Sequence, residues 1–190
     1  MSVTAFSTTI SVDEYLASEA RSAEKHDYVD GAVYGMAGAS EAHNTIAANL
    51  LGMLYAQLRG KPCQPFGSDM KAWIRVVQGQ CFYYPDAMVA CDPADAGNPW
   101  RERPSVIFEI ISEETRRVDE REKRFMYFSI PDLKAYVRLE QSRAEAVIER
   151  PGAEGWVTES VVGTDSIVRL PEIGISLPLA DLYERVRFQA

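Results

Sequence analysis

Apolar side chains repeat at four-residue intervals in one segment of the chain. At this spacing they share one face of a helix, and the set comprises Ile46, Leu50, Leu54 and Leu58. Ser40 is a typical N-cap residue, and Gly60 suits the position after a helix ends. The pattern therefore predicts a long helix between Ser40 and Gly60.

Shorter elements are indicated on both sides of this helix. Ser11 and Glu14 have the spacing of a capping box, which predicts a helix from about residue 12 to 20. Asp30-Gly31 suits a hairpin turn between two short strands within 26–36. Further strands are predicted at 63–76, 80–91, 105–111, 133–140, 144–149, 156–162 and 165–170, a loop at 91–104, and helices at 115–129 and 179–186. We predict one mixed α/β domain over residues 1–190, without repeats or linkers.

The composition is that of an ordinary globular protein and excludes several classes. Hydrophobic residues make up 46% and charged residues 25% of the 190 positions, which excludes a disordered or collagen-like chain. No apolar run approaches the roughly 18 residues of a membrane span, and no basic stretch precedes an apolar one at the start. Three cysteines, without CxxC spacing, argue against a disulfide framework or a zinc site. We expect a reduced, cytoplasmic protein that does not enter membranes.

The net charge is −8, which excludes a protein that coats nucleic acid by bulk charge. Any contact with nucleic acid must come from a local patch. Residues 101–150 carry as many basic as acidic side chains, whereas the segments on either side are acidic. Four arginines in this middle segment are candidates for phosphate contacts: Arg116, Arg117, Arg121 and Arg124.

One glutamate interrupts the most apolar strand. Glu109 lies between Val106-Ile-Phe108 and Ile110-Ile111, and a buried lone carboxylate is costly unless it is paired or binds a metal. Three interpretations of Glu109 follow. It pairs with an arginine, it faces solvent on a half-exposed strand, or it shares a divalent cation with Asp86. Asp86 follows Tyr84-Pro85 at the start of another predicted apolar strand segment. Hard cations such as Mg²⁺ accept one or two carboxylates together with waters and substrate phosphate.

A lysine on the following helix is a third candidate. Lys123 lies in the charged run 119–124. Such runs are usually solvated faces, and Asp119 with Lys123 is a favourable i,i+4 pair. The lysine also flanks an apolar stripe, so its amine is able to reach a site at the strand ends.

The order and spacing of these residues resemble the Uma-type family of predicted restriction endonucleases, within the PD-(D/E)xK nuclease superfamily. The likeness covers roughly residues 10 to 180. The segments that carry it are His26-Asp-Tyr-Val-Asp-Gly31, Tyr34 to Asn44, Tyr84-Pro-Asp86, Pro104 to Ser112, Thr115-Arg-Arg-Val-Asp119, Glu122-Lys123 and Ile130 to Val137.

The resemblance implies a restriction-endonuclease-like core, in which a central mixed β-sheet is flanked by helices. It implies that Asp86 and Glu109 are catalytic and bind Mg²⁺ or Mn²⁺, with the main-chain carbonyl of Ile110 as a further ligand. The implied activity is metal-dependent hydrolysis of phosphodiester bonds in double-stranded DNA. A homodimer is expected by analogy, since cutting two strands needs two sites.

One departure from the superfamily concerns its lysine, which usually lies two residues after the second acid. Here that position is Ile111, and Lys123 is the candidate for a relocated catalytic lysine. The departure and the acidic charge favour an alternative: a nuclease-fold binding module that cleaves weakly or not at all. Hydrolysis of another phosphodiester is a third hypothesis.

Three further residues are candidates for the site. Asp27 stands where the family usually has a glutamate, and the alternative for it is a solvated hairpin carboxylate. His43 begins the long helix and is a candidate phosphate contact, or else a packed or capping histidine. Asp69 lies in a predicted strand and is a candidate member of the acidic cluster.

Overall fold

The structure, a computed structural model, describes residues 9–36, 38–77, 79–112 and 122–188. Four helices lie within these ranges: α1 (Val12–Glu19), α2 (Glu41–Leu58), α3 (Arg124–Tyr127) and α4 (Leu179–Leu182). The strands are β1 (His26–Val29), β2 (Ala32–Gly35), β3 (Gln64–Gly67), β4 (Lys71–Val76), β5 (Gly79–Tyr83), β6 (Ala87–Ala90), β7 (Trp100–Arg101), β8 (Pro104–Ile111), β9 (Ala135–Glu140), β10 (Glu145–Gly152), β11 (Gly155–Val162), β12 (Ile167–Leu170) and β13 (Ile175–Pro178).

The first elements of the chain form where local signals in the sequence predicted them. The Ser11 main-chain N–H donates to Glu14 Oε2 over 2.8 Å, and the Glu14 N–H donates to Ser11 Oγ over 3.3 Å. The capping box is therefore formed. Asp30 and Gly31 both have positive φ, 47° and 92°, as a two-residue hairpin turn requires. Ser40 caps α2, and the four predicted leucine and isoleucine positions are its buried residues.

The strands form two larger sheets and a separate hairpin. One sheet has the order β2-β1-β5-β4-β7, and the other has the order β11-β10-β9-β8-β6-β3. The second sheet is mixed, because β8 and β9 are parallel while its other neighbours are antiparallel. The hairpin consists of β12 and β13.

Among the described residues, three apolar clusters hold these layers together. One lies between the two sheets and includes Ile74, Met88 and Tyr127. A larger cluster on the other face of the six-stranded sheet joins it to α2, α4 and the β12–β13 hairpin. A small aromatic cluster packs Tyr15 of α1 against the outer face of the five-stranded sheet. The space between the sheets is thus a packed core.

Two predicted strands are each split between the sheets. Residues 63–76 form β3 in the six-stranded sheet and β4 in the five-stranded one, with a turn at 68–70. Residues 80–91 likewise form β5 and β6, and the chain crosses at Tyr84-Pro85-Asp86. Because Pro85 has no N–H, it cannot continue a ladder. The crossing places Asp86 where the two sheets meet.

Other boundaries also differ from the prediction. The loop 91–104 contains a 3-10 turn and the short strand β7, and β13 was not predicted at all. β7 has two residues and β13 four, too few to show a period of two. Of the helix predicted at 115–129, residues 115–121 lie outside the described part of the chain, and α3 occupies four residues of the rest.

The prediction of unpaired cysteines is wrong. Cys63 and Cys91 form a disulfide, while Cys81 is a buried free thiol whose pKa is raised to about 12 by burial. Gln64 pairs with Ala90 across β3 and β6, so the two cysteines are the next facing positions. A separation of 28 residues along the chain does not reveal this proximity.

We expect the disulfide to stabilise the fold. Opening a cross-link between residues 28 apart should lower the free energy of unfolding by about 3.5 kcal/mol, because the unfolded chain gains loop entropy. Urea unfolding with and without dithiothreitol measures this difference. A Cys63→Ser/Cys91→Ser double variant is the control and should not respond to the reductant. Equal unfolding curves for the oxidised and reduced wild type would contradict the prediction.

Candidate active site

Asp86 lies at the crossing between the sheets, directly before β6. Its side chain is 15% exposed. Oδ2 accepts a hydrogen bond of 2.7 Å from the main-chain N–H of Ile110, and Oδ1 is 2.9 Å from Nε2 of His43. The Ser40 cap starts α2 so that His43 falls in its first turn and reaches the carboxylate. Both oxygens of Asp86 are therefore held in place.

Glu109 faces Asp86 from the neighbouring strand. Ala87 pairs with Phe108 across β6 and β8, so Asp86 and Glu109 are the next facing positions of the two strands. Glu109 is only 3% exposed. Its Oε1 accepts a hydrogen bond of 2.8 Å from the Tyr127 hydroxyl and is 3.4 Å from Nζ of Lys123. The hypothesis that Glu109 faces solvent is thus wrong.

Lys123 reaches the strand ends from the segment before α3. It lies in a π-helical turn and is 8% exposed, so it is not part of a solvated face. Besides Glu109, its ammonium group is 4.0 Å from Oδ2 of Asp27 and 5.8 Å from the centre of the Tyr83 ring. This lysine therefore bridges carboxylates that belong to different sheets.

The five-stranded sheet contributes Asp27 to the candidate site. Its side chain is 14% exposed, and its Oδ1 accepts a hydrogen bond of 3.1 Å from the N–H of Tyr84. Asp27 is thus tied to the crossing that carries Asp86, and is not a solvated hairpin carboxylate. The structure brings together Asp27, His43, Asp86, Glu109, Ile110 and Lys123, six of the seven candidates.

Asp69 is the exception, and its predicted place in the acidic cluster is wrong. It lies in the turn between β3 and β4, not in a strand, and its side chain is 93% exposed. Its Oδ1 binds Nζ of Lys25 at 2.6 Å. The prediction failed because it treated residues 63–76 as one continuous strand.

Tyr127 is a residue of the site that the sequence did not indicate. It is fully buried, and this burial raises the pKa of its phenol well above the usual value. The hydroxyl therefore stays protonated and donates to Glu109. The sequence feature that could have identified Tyr127 is its position four residues after Lys123, because residues i and i+4 of a helix lie on the same face.

The predicted arginine patch is described only in part. Arg116, Arg117 and Arg121 lie outside the described residues. Arg124 is bound to the buried Glu149, with Nε 2.9 Å from Oε1 and Nη2 2.5 Å from the same oxygen. Its guanidinium is therefore engaged within the protein.

The donor set is compatible with a hard divalent cation. Within the described ranges, no three His, Cys, Asp or Glu side chains are arranged to hold a metal ion. Mg²⁺ does not require three, because it binds through one or two carboxylates and keeps several waters. Asp86, directly before β6, and Glu109, at the next facing position in β8, meet this smaller requirement.

Comparison with known proteins identifies the family. The family model Uma2, "Putative restriction endonuclease", matches residues 12–180. The chain belongs to this family. It is 30% identical over 181 residues to an uncharacterised protein of Synechocystis sp., covering 94% of each chain. A second uncharacterised protein of that organism is 29% identical over 171 residues, which cover 87% of this chain and 95% of the relative.

A solved structure shows the same fold. The crystal structure of a protein from Anabaena variabilis, described as a putative nuclease belonging to DUF820, superposes on this chain with a TM-score of 0.73. The match covers 92% of this chain and 98% of that one at 15% identity. The predicted restriction-endonuclease-like α/β fold, with a mixed sheet flanked by helices, is confirmed. Across the described residues, none of the helices is long and apolar enough to span a membrane.

Replacing Tyr127 with phenylalanine tests how Glu109 is held. Tyr127→Phe should lower the free energy of unfolding by about 1–3 kcal/mol, because a buried carboxylate oxygen loses a hydrogen-bond donor. Urea unfolding measures the change. The control is Tyr55→Phe, since Tyr55 is 68% exposed and should tolerate the change. Equal stabilities for both variants and the wild type would show that the Tyr127 hydroxyl does not hold Glu109.

Proposed function

We propose that this protein is a metal-dependent endonuclease that hydrolyses phosphodiester bonds of double-stranded DNA. The observation that carries the proposal is the placement of Asp86 opposite Glu109, with Lys123 3.4 Å from Glu109. Two acids on neighbouring strands and one cation provide the groups that this hydrolysis needs. Membership of a family of restriction-endonuclease-like nucleases supports the same reaction.

Asp86, Glu109 and the carbonyl of Ile110 would hold the metal. The N–H of Ile110 donates to the Asp86 carboxylate. In a strand, the N–H and C=O of one residue point to the same side, so this carbonyl is directed towards Asp86 as well. A bound Mg²⁺ or Mn²⁺ would polarise the scissile phosphate and acidify a water for attack.

Lys123 takes the role that the superfamily gives to the position of Ile111. Ile111 is 1% exposed and apolar, so it supplies no charge. Lys123 instead contacts the same acid, Glu109, from a different element of the structure. Its ammonium group stabilises negative charge that develops on the phosphate oxygens.

The remaining residues position these groups. His43 and the Ile110 N–H fix the Asp86 carboxylate, while Tyr127 fixes that of Glu109. Asp27 adds a third carboxylate 4.0 Å from Lys123, so the lysine Nζ lies between acids of both sheets. The homodimer and the cytoplasmic location predicted from the sequence stay predictions.

Cleavage of supercoiled plasmid in Mg²⁺ or Mn²⁺ tests the proposal. Wild-type protein should cut, and a chelator should stop it. Asp86→Asn and Glu109→Gln should each lower the rate by about a hundredfold or more, because each removes a charge at the metal site. Lys123→Met should lower it by about 10²–10³-fold, the usual effect of losing a group that stabilises transition-state charge.

Glu154→Gln is the matched control, because it removes an exposed carboxylate outside the site. It should cut like the wild type, and circular dichroism should show all variants folded. Cleavage by the Asp86 and Glu109 variants at the wild-type rate would overturn the assignment of the site. Metal-dependent DNA binding without cleavage, by wild-type protein, would instead favour the binding module, the alternative that the isoleucine at position 111 suggests.

A further inference from the structure

A second lysine is buried at the same end of the five-stranded sheet. Lys71 is the first residue of β4 and is 7% exposed. Its Nζ is 5.0 Å from the centre of the Tyr84 ring. Within the described part of the chain, no carboxylate forms an ion pair with it. Burial lowers the pKa of Lys71, and the more distant Glu19 opposes this effect only in part.

Glu19, the nearby buried acid, is already engaged by other donors. Its Oε1 accepts hydrogen bonds of 2.9 Å from the Tyr84 hydroxyl and from the N–H of His26. Its Oε2 is 3.0 Å from Nδ1 of His26. Glu19 thus holds the Tyr84 ring beneath the lysine and does not itself pair with Lys71.

Lys25 brings a second ammonium group to the same ring. Its Nζ is 5.7 Å from the Tyr84 ring centre and donates to the carbonyl and hydroxyl of Ser68. Its acidic partner is Asp69, whose side chain is 93% exposed. An ion pair with so exposed a partner contributes little, so another anion is able to replace Asp69.

Tyr84 connects this cluster to the candidate active site. It stands two residues before Asp86, and its N–H donates to Asp27. Ala72 pairs with Tyr83 across β4 and β5, so Lys71 is the neighbour of Tyr84 across the same strands. The two lysines therefore lie beside the crossing that carries Asp86 and binds Asp27, on the opposite face of the sheet from Lys123.

We propose that Lys71 and Lys25 form a subsite for a backbone phosphate of DNA other than the cleaved one. The subsite rests on the proposed nuclease function. An ammonium group binds phosphate as a point charge, and two of them face one ring here. The phosphate supplies the direct ion pair that Lys71 does not form with any described carboxylate. Such a contact helps an acidic protein to hold DNA.

Binding of a labelled duplex, measured by fluorescence anisotropy at several salt concentrations, tests the subsite. The buffer contains Ca²⁺, which takes oxygen ligands as Mg²⁺ does, and a gel confirms that the duplex stays intact. Lys71→Met should reduce the slope of log affinity against log salt by about one unit, the effect of losing one phosphate contact. Lys71→Arg should keep the slope, since the charge remains.

Lys134→Met is the matched control. Lys134 is exposed and precedes β9 at the end of the parallel β8–β9 pair opposite to Glu109, so its loss should leave the slope unchanged. Lys25→Gln should lower the slope as Lys71→Met does. Because Lys25 is more exposed, with 37% of its side chain accessible, this variant carries the test if Lys71→Met does not fold.

The outcomes separate this subsite from the nuclease proposal. The subsite alone would be overturned if the wild type cleaves DNA while Lys71→Met and Lys25→Gln both keep the wild-type slope of log affinity against log salt. A wild type that neither binds nor cuts DNA would overturn both proposals. Thermal stabilisation by inorganic phosphate that needs Lys71, without any effect of Lys71 on DNA binding, would assign a free phosphate and overturn the DNA contact.

Discussion

The buried carboxylate of Glu109 is the constraint on which the rest of the site depends. A carboxylate in an apolar strand costs several kcal/mol unless charges and donors surround it. Lys123 and Tyr127 supply them from one helical segment, so this segment must pack between the two sheets. The inter-sheet core that includes Tyr127 is therefore also the support of the polar site at its edge.

The crossing at Tyr84-Pro85-Asp86 joins the two sheets and gathers the remaining groups. Asp86 faces Glu109 from β6, while the N–H of Tyr84 binds Asp27 of β1. The acids thus come from both sheets, and their relative positions depend on one short segment without a ladder hydrogen bond at Pro85. The Tyr84 ring extends to the other face, where Lys71 lies.

The sequence predicted the parts of this arrangement that have local signals. Hydrophobic spacing predicted α2, the Asp-Gly pair predicted the first hairpin, and an acid within an apolar strand marked Glu109. It did not predict the disulfide or the exposed place of Asp69, because both depend on how residues 63–76 divide between sheets. Periodicity reports which face a side chain occupies and not which sheet a strand joins.

A crystal structure of the protein soaked in Mn²⁺, with anomalous data, tests the central claim most directly. The account predicts one strong anomalous peak between Asp86 and Glu109, with the Ile110 carbonyl as a further ligand at roughly 2.1 Å, the distance typical of Mg²⁺. The contrary result is a map without a peak there, in which Asp86 still binds His43 and Glu109 still binds Lys123. In that case the two acids would be structural partners of these two side chains and not a metal centre.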